Sequence, residues 1–291
     1  MLARTLSGVF SQDAAPSLWH LTVVDNASTD NTRQILDEYS ARYPNFDFVV
    51  NERNLGLFGN LNRCMNLART QKYMIVHSDD DIDSRLVSSI LCFLDRHPDV
   101  QMCFGASRAR LEETNEVVSH WYRSRIVGEK ERVLRGDQLL SALMFSGSNF
   151  IFAPTVVYDK EFFGQLSYSS EFEYASDLDL WFRAALMLPN VGFIPEPLIT
   201  CGIHGGRLSA KHADRMRLEA ITIWRRYLAI VRNRSDLQMV GTRFALLLAA
   251  KLRVFELAIR LHVVPGFKLR RKLFALLDRL ERRSRSSDIA G

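Results

Sequence analysis

Short apolar runs alternate with helix-like stretches through the first half of this chain, and that alternation limits the folds open to it. Leu21-Thr22-Val23-Val24, Phe46-Asp47-Phe48-Val49-Val50, Tyr73-Met74-Ile75-Val76 and Val100-Gln101-Met102-Cys103-Phe104 read as strands. Between them lie Thr29 to Tyr43, Leu57 to Thr70 and Leu86 to His97. Ile35, Leu36 and Tyr39 in the first, and Leu61, Met65 and Ala68 in the second, recur at helical spacing. Strands and helices in series predict an α/β fold whose mainly parallel sheet is flanked by helices. Ligands of such sheets gather at the carboxyl ends of the strands. Asp25 and Asp79 both stand there.

Asp79, Asp80 and Asp81 follow the third apolar run directly. Adjacent carboxylates repel one another, and behind a buried strand they call for a compensating cation. Oxygen ligands on one short loop suit Mg²⁺ or Mn²⁺, which commonly share substrate phosphate oxygens. An acidic turn that caps the next helix satisfies the same three residues.

The totals exclude several classes. The four cysteines, Cys64, Cys92, Cys103 and Cys201, form no C-x-x-C pair, which argues against a zinc ribbon and fits a reducing cytoplasm. The longest apolar stretch, Phe244 to Ala250, is too short to span a membrane. The net charge of +5 is concentrated late, with 11 Lys or Arg against Glu256, Asp278 and Glu281 over residues 251–285. The rest of the chain is slightly acidic, so no nucleic-acid partner is expected.

In the second half, Phe150 to Tyr158 is apolar and broken by Pro154, and Glu171 to Leu188 reads as a helix entered through Ser176-Asp177. Val191 to Ile194 reads as a short strand closed by Pro195 and Pro197. A domain is expected over residues 1–212, with a helical basic extension over 213–291. In that extension Leu269, Leu273, Leu276, Leu277 and Leu280 fall at helical spacing among Lys and Arg. That is the pattern of a membrane-surface contact. A helical subdomain with a basic solvated face has the same pattern.

Five short motifs, in order, resemble the family 2 glycosyltransferases of the GT-A, Rossmann-like fold. Val23-Val24-Asp25-Asn26-Ala27-Ser28-Thr29-Asp30 is similar to the segment that holds the nucleotide. Asn54-Leu55-Gly56 with Asn60-Leu61-Asn62 is similar to the N-x-G-x-x-x-N-x-N segment. Ser78-Asp79-Asp80-Asp81 lies where the family keeps its D-x-D. Ser176-Asp177-Leu178-Asp179-Leu180-Trp181-Phe182-Arg183 resembles the segment whose second position is the catalytic base. Ile203 to Ser209 is similar to the family's H-G-G-x-x-S loop. One departure is that an opening strand of the form S-V-V-I-P-T-Y-N is missing. Leu2 to Gln12 resembles the helix that follows it, and a start upstream of Met1 is expected.

The resemblance implies an inverting transfer from a nucleoside-diphosphate sugar, with UDP or dTDP, to a saccharide or lipid-linked acceptor. It implies Asp177 as base and Asp25, Asn26, Ser28, Asn54, Gly56, Asn62, Asp79 and Asp80 as nucleotide-binding residues. Asp79, Asp81 and His204 would be the ligands of Mg²⁺ or Mn²⁺. The chemistry agrees. A diphosphate leaving group needs cationic neutralisation, and one base with no second nucleophile means a single displacement. A cytoplasmic protein, resting on the inner face of the membrane through its tail, is the expected setting. The alternative is a non-catalytic GT-A remnant that serves as a binding or assembly module.

Overall fold

The computed structural model describes residues 1–119, 128–146, 149–203 and 211–233. By packing, the chain divides into a unit from Met1 to Ile223 and a unit from Trp224 to Gly291. The first holds two sheets and the helices around them. Of the second, the described residues continue one helix. The remainder of the basic tail lies outside the described residues.

In the smaller sheet β1 (Leu21–Asp25) and β2 (Phe46–Val50) pair in parallel, Leu21 opposite Phe46 and Asp25 opposite Val50. The larger sheet comprises β3 (Lys72–Met74), β4 (Asp80–Ile82), β5 (Met102–Leu111), β6 (Glu116–Ser119), β7 (Arg132–Arg135), β8 (Val156–Asp159) and β9 (Asn190–Ile203). Its order is β3-β8-β5-β9-β4, with β6 on β5 and β7 on β9. The α/β architecture is the one expected, but the pairing is mixed. β1 with β2 and β5 with β9 are parallel, while β3, β4, β6, β7 and β8 all join their neighbours antiparallel. Hydrophobic periodicity marks where strands fall but gives no direction, so the reversals leave no mark in the sequence.

β9 also differs from expectation, because it runs straight through Pro195 and Pro197. Its register on β5 shifts between Gly105 and Ser107, where those prolines fall. A proline has no N–H to give a ladder, and a bulge is the place where none is needed.

The helices are α1 (Leu2–Val9), α2 (Thr32–Arg42), α3 (Gly56–Leu67), α4 (Leu86–Arg96), α5 (Gly136–Ser146), α6 (Lys160–Phe163), α7 (Ser176–Met187) and α8 (Ala213–Asn233). α1 serves two cores with one apolar face. Leu6 packs with Leu36 and Phe46 against the smaller sheet. Val9, one turn on, joins Ile82, Phe93, Val157 and Ile199 against the larger one. The α7 face is buried more deeply, with Leu180, Trp181 and Phe182 fully enclosed and Trp181 stacked on Tyr158 at 6.2 Å.

Gly192 shows how close the packing of α4 is. A Cβ there would lie 2.3 Å from Cζ of Phe93 and 2.9 Å from Cβ of Cys103. Gly192→Ala is therefore expected to cost about 2 kcal/mol through overpacking. A urea melt checks this, with a lower midpoint and an unchanged slope.

Candidate active site

A cleft of about 920 Å³ opens in the first unit, walled by residues of β1 and α3, the stretch from Tyr73 to Asp79, Asn149 and Asp177. Of the expected site residues, Asp79 and Asp177 line it, as do Asn60 and His77. Asp25 follows Val24, another lining residue.

The loop after β1 is built from amides. Asp25, 7% exposed, accepts hydrogen bonds from the Ser28 backbone at 3.3 Å and from the Ser28 hydroxyl at shorter range. That closes a turn in which Ala27 takes a left-handed φ of 61°. Asn26 Oδ1 accepts from the Leu55 N–H at 2.9 Å and from Asn51 Nδ2 at 3.0 Å. Asn26 Nδ2 donates to Asn54 Oδ1 at 2.9 Å. Asn54 in turn receives the N–H of Gly56 at 2.8 Å, at the positive φ that only glycine adopts without strain. Asn51 extends the set to Asn60, whose own amide donates to the Val24 carbonyl at 3.3 Å. Asn51 was not singled out in the sequence, since an asparagine one residue past a strand reads as punctuation.

Asn62 faces another way. Its amide is committed at both ends to Tyr168, donating to the carbonyl at 2.9 Å and accepting the N–H at 2.7 Å. It anchors the segment that leads into α7.

The acidic run divides. His77, Asp79 and Asp80 each offer a ligand atom, all within 4.8 Å of one another, and among the described residues this set is suited to a metal ion. Asp80 is fully buried on β4 opposite Cys201. Asp81 points elsewhere. Its carboxylate meets Arg4 of α1 at 2.7 Å and Arg110 of β5 more closely still. The same arginines hold Glu112, at 2.9 Å and 2.8 Å, and these bonds lower its carboxyl to about 2. Gly202 is needed beside this cluster, since a Cβ would come 2.7 Å from Glu112 and 2.9 Å from the Asp79 carbonyl. His204 lies outside the described residues, as does the rest of the glycine-rich loop. His77 was overlooked because it precedes the triplet in a segment that is neither strand nor helix.

Asp177 sits at the entrance of α7, half-buried on the cleft wall. Oδ2 accepts from Asn149 Nδ2 at 2.6 Å and Oδ1 from the Leu178 N–H at 2.8 Å. Burial nonetheless dominates and pushes its carboxyl up to about 6. That value keeps the group ionised at neutral pH while leaving it basic enough to take a proton. The chain leading to it is fixed from three sides. Ser176 donates to the Ser169 carbonyl at 2.9 Å, and Asn62 holds Tyr168. Glu219 of α8 accepts the N–H groups of Glu173, Tyr174 and Ala175 at 3.0, 2.8 and 2.8 Å. Asp179 turns away from the cleft to pair with Arg183 at 2.8 Å.

Comparison with known proteins bears on the family and the fold. Residues 1–159 match the family described as Glycosyl transferase family 2. An uncharacterized protein of Mycobacterium tuberculosis is 34% identical over 93 residues, covering 31% of this chain and 27% of its own length. The chain thus spans about a quarter of that relative. A putative glycosyltransferase of Bacillus subtilis, EpsE, is 31% identical over 35% of this chain and 36% of its own. Among solved structures, S. aureus TarS 1–349 in complex with UDP-GlcNAc superposes with a TM-score of 0.64 at 17% identity, covering 88% of this chain and 69% of that one. GalNAc-T7 with UDP, GalNAc and Mn²⁺ gives a TM-score of 0.58 at 13% identity, over 79% and 47%. The fold is of the GT-A type, and the chain belongs to glycosyl transferase family 2.

Proposed function

We propose that this chain is an inverting, metal-dependent glycosyltransferase. It moves a sugar from a UDP- or dTDP-sugar to a saccharide or lipid-linked acceptor in surface-glycan synthesis. The observation that carries the reading is that a base tuned to about 6, Asp177, and the metal-suited residues His77 and Asp79 line one cleft. The UDP and UDP-GlcNAc complexes of the TarS structures support the donor class.

In this reading Asp25, Asn26, Ser28, Asn54 and Gly56 shape the nucleotide end, and Asp79 and Asp80 bound its diphosphate side. Asn62 positions Tyr168. His77, Asp79 and Asp80 would hold the cation. Imidazole and carboxylate together suit Mn²⁺, while Mg²⁺ prefers oxygen alone. Asp81, engaged by two arginines, is replaced in this set by His77. A cation bound there would offset the charge that grows on the diphosphate as it leaves. Asp177 takes the proton of the acceptor hydroxyl, whose oxygen attacks the anomeric carbon from the face opposite the leaving group. The configuration inverts, and no carboxylate is needed as nucleophile. Among the described residues no helix is long and apolar enough to cross a membrane. A cytoplasmic setting against the inner membrane face, through the basic tail, is part of the proposal.

A non-catalytic remnant is the second reading, favoured by the two sheets that β1 and β3 leave unjoined. Calorimetry with UDP and dTDP, with and without Mn²⁺, separates the two. Binding is expected to need the metal and to weaken at least about tenfold in Asp79→Ala, as when a metal ligand's neighbourhood is damaged. No heat at millimolar nucleotide in either metal condition would remove the enzyme reading and leave the remnant.

A further inference from the structure

We propose that Arg110 of β5, together with Arg4 of α1, is a positioning residue for the cation site, bracing from behind the turn that carries His77, Asp79 and Asp80. The role rests on the metal-dependent reading above. None of Arg4, Asp81, Arg110 and Glu112 lines the cleft, so these four charges reach the site only through the main chain and through their field.

The turn needs a hold from outside. It is closed by the Asp80 N–H, which donates to the His77 carbonyl at 3.2 Å. It leads into β4, which is three residues long and among the described residues pairs with β9 alone. A strand this short, at a sheet edge, fixes its own ends poorly. Groups from α1 and β5 hold three successive residues instead. The Asp79 carbonyl accepts from Arg4 Nη2 at 3.4 Å, and the Asp80 carbonyl accepts from the Thr5 hydroxyl at 2.7 Å. The Asp81 carboxylate takes Arg4 and Arg110. α1 lies so near β4 that a Cβ on Gly8 would come 3.0 Å from the Ile82 carbonyl. Glu112 ties the two guanidinium groups together, and its own N–H donates to the Ile203 carbonyl at 3.0 Å.

The charges suit a brace. Two guanidinium groups alone would repel a divalent cation nearby. Asp81 and Glu112 cancel them, so the cluster carries no net formal charge and holds the turn with little field on the ion. Exposed single pairs order little, whereas a shared network does more. Arg110 is the shielded member, its side chain 12% exposed, and its fork spans both carboxylates as a lysine could not.

The test is Mn²⁺ binding by the full chain, read by electron paramagnetic resonance below the melting temperature of each variant. Arg110→Met is expected to weaken binding about tenfold, the scale for groups that orient metal ligands. By field alone, removing a cation acts the other way and tightens binding. Arg110→Met combined with Asp81→Asn keeps the formal charge of the cluster unchanged and leaves no unpaired Asp81 carboxylate. It is expected to weaken binding to the same extent. The spectrum of the bound ion, which reports ligand geometry, is expected to change in both. Affinity equal to or tighter than the parent's in either variant, or an unchanged bound-ion spectrum, would overturn the brace and leave the metal reading standing. A parent that binds no Mn²⁺ at millimolar concentration overturns the metal reading and the brace with it.

Discussion

Asp177→Asn is expected to lose about 10³-fold in kcat, with donor binding kept, and to melt at a higher temperature than the parent at pH 8. The first part follows from the base role proposed for Asp177. The second follows from the sign of the shift. Burial raises the Asp177 carboxyl from 3.8 to about 6, so between those values the folded chain holds a proton that the unfolded chain has released. Stability therefore falls as pH rises through that window and stays reduced above it. The cost is at most about 3 kcal/mol by linkage, a net figure in which the bonds from Asn149 and Leu178 to the ionised form are already counted. Asparagine carries no charge and escapes the penalty, so the difference in melting temperature between variant and parent should widen from pH 4 to pH 6 and then level off. The parent's kcat should climb with ionisation of the folded carboxyl, half-maximal near pH 6, to a plateau about one unit higher. A variant that keeps full activity, or that is less stable than the parent at pH 8, would exclude Asp177 as a strained base.

Glu219→Gln is expected to cost about 3 kcal/mol and to reduce activity sharply, although Glu219 lies far along the chain from Asp177. Its two oxygens accept three backbone N–H groups in succession before α7, with Oε1 on Glu173 and Oε2 on Tyr174 and Ala175. Glutamine keeps one oxygen and turns an NH₂ toward donors, so at least one N–H is left facing another. Charge-assisted bonds of this kind are worth more than neutral ones, and a buried donor without an acceptor carries its own penalty. Ala175 is two residues from Asp177, so the loss would reach the base by moving the start of its helix. Thermal melting and exchange at residues 173–175 read the effect. A midpoint within a degree of the parent would show that the clamp contributes nothing.

How much of this was legible in the sequence follows the range of the interactions. β1, β2 and the helices after them are local patterns, and periodicity found them within a few residues. Asp25 at a strand end and Asp177 at a helix entrance were legible for the same reason. Contacts between distant segments left no trace. Asn149 and Asp177 are separated by 28 residues, Glu219 and Tyr174 by 45, and Arg4 and Glu112 by 108. None of them disturbs a local period. Asp81 illustrates the limit best. Beside two other aspartates it looks like a metal ligand, and only the folded chain brings Arg4 and Arg110 against it. β9 fails for the opposite reason, because a local rule about proline gave way to a bulge that nothing nearby announces.

The amide lattice of Asn26, Asn51, Asn54 and Asn60 separates two kinds of control. Its members neither gain nor lose protons across the working range, and their bonds are between neutral groups that salt barely screens. The shape of that loop is therefore indifferent to acidity and ionic strength. Asp177 answers to the first and the Arg4–Asp81–Arg110–Glu112 cluster to the second. The loop after β1 behaves as a fixed mould, while Asp177 and the charged cluster are adjustable by the medium.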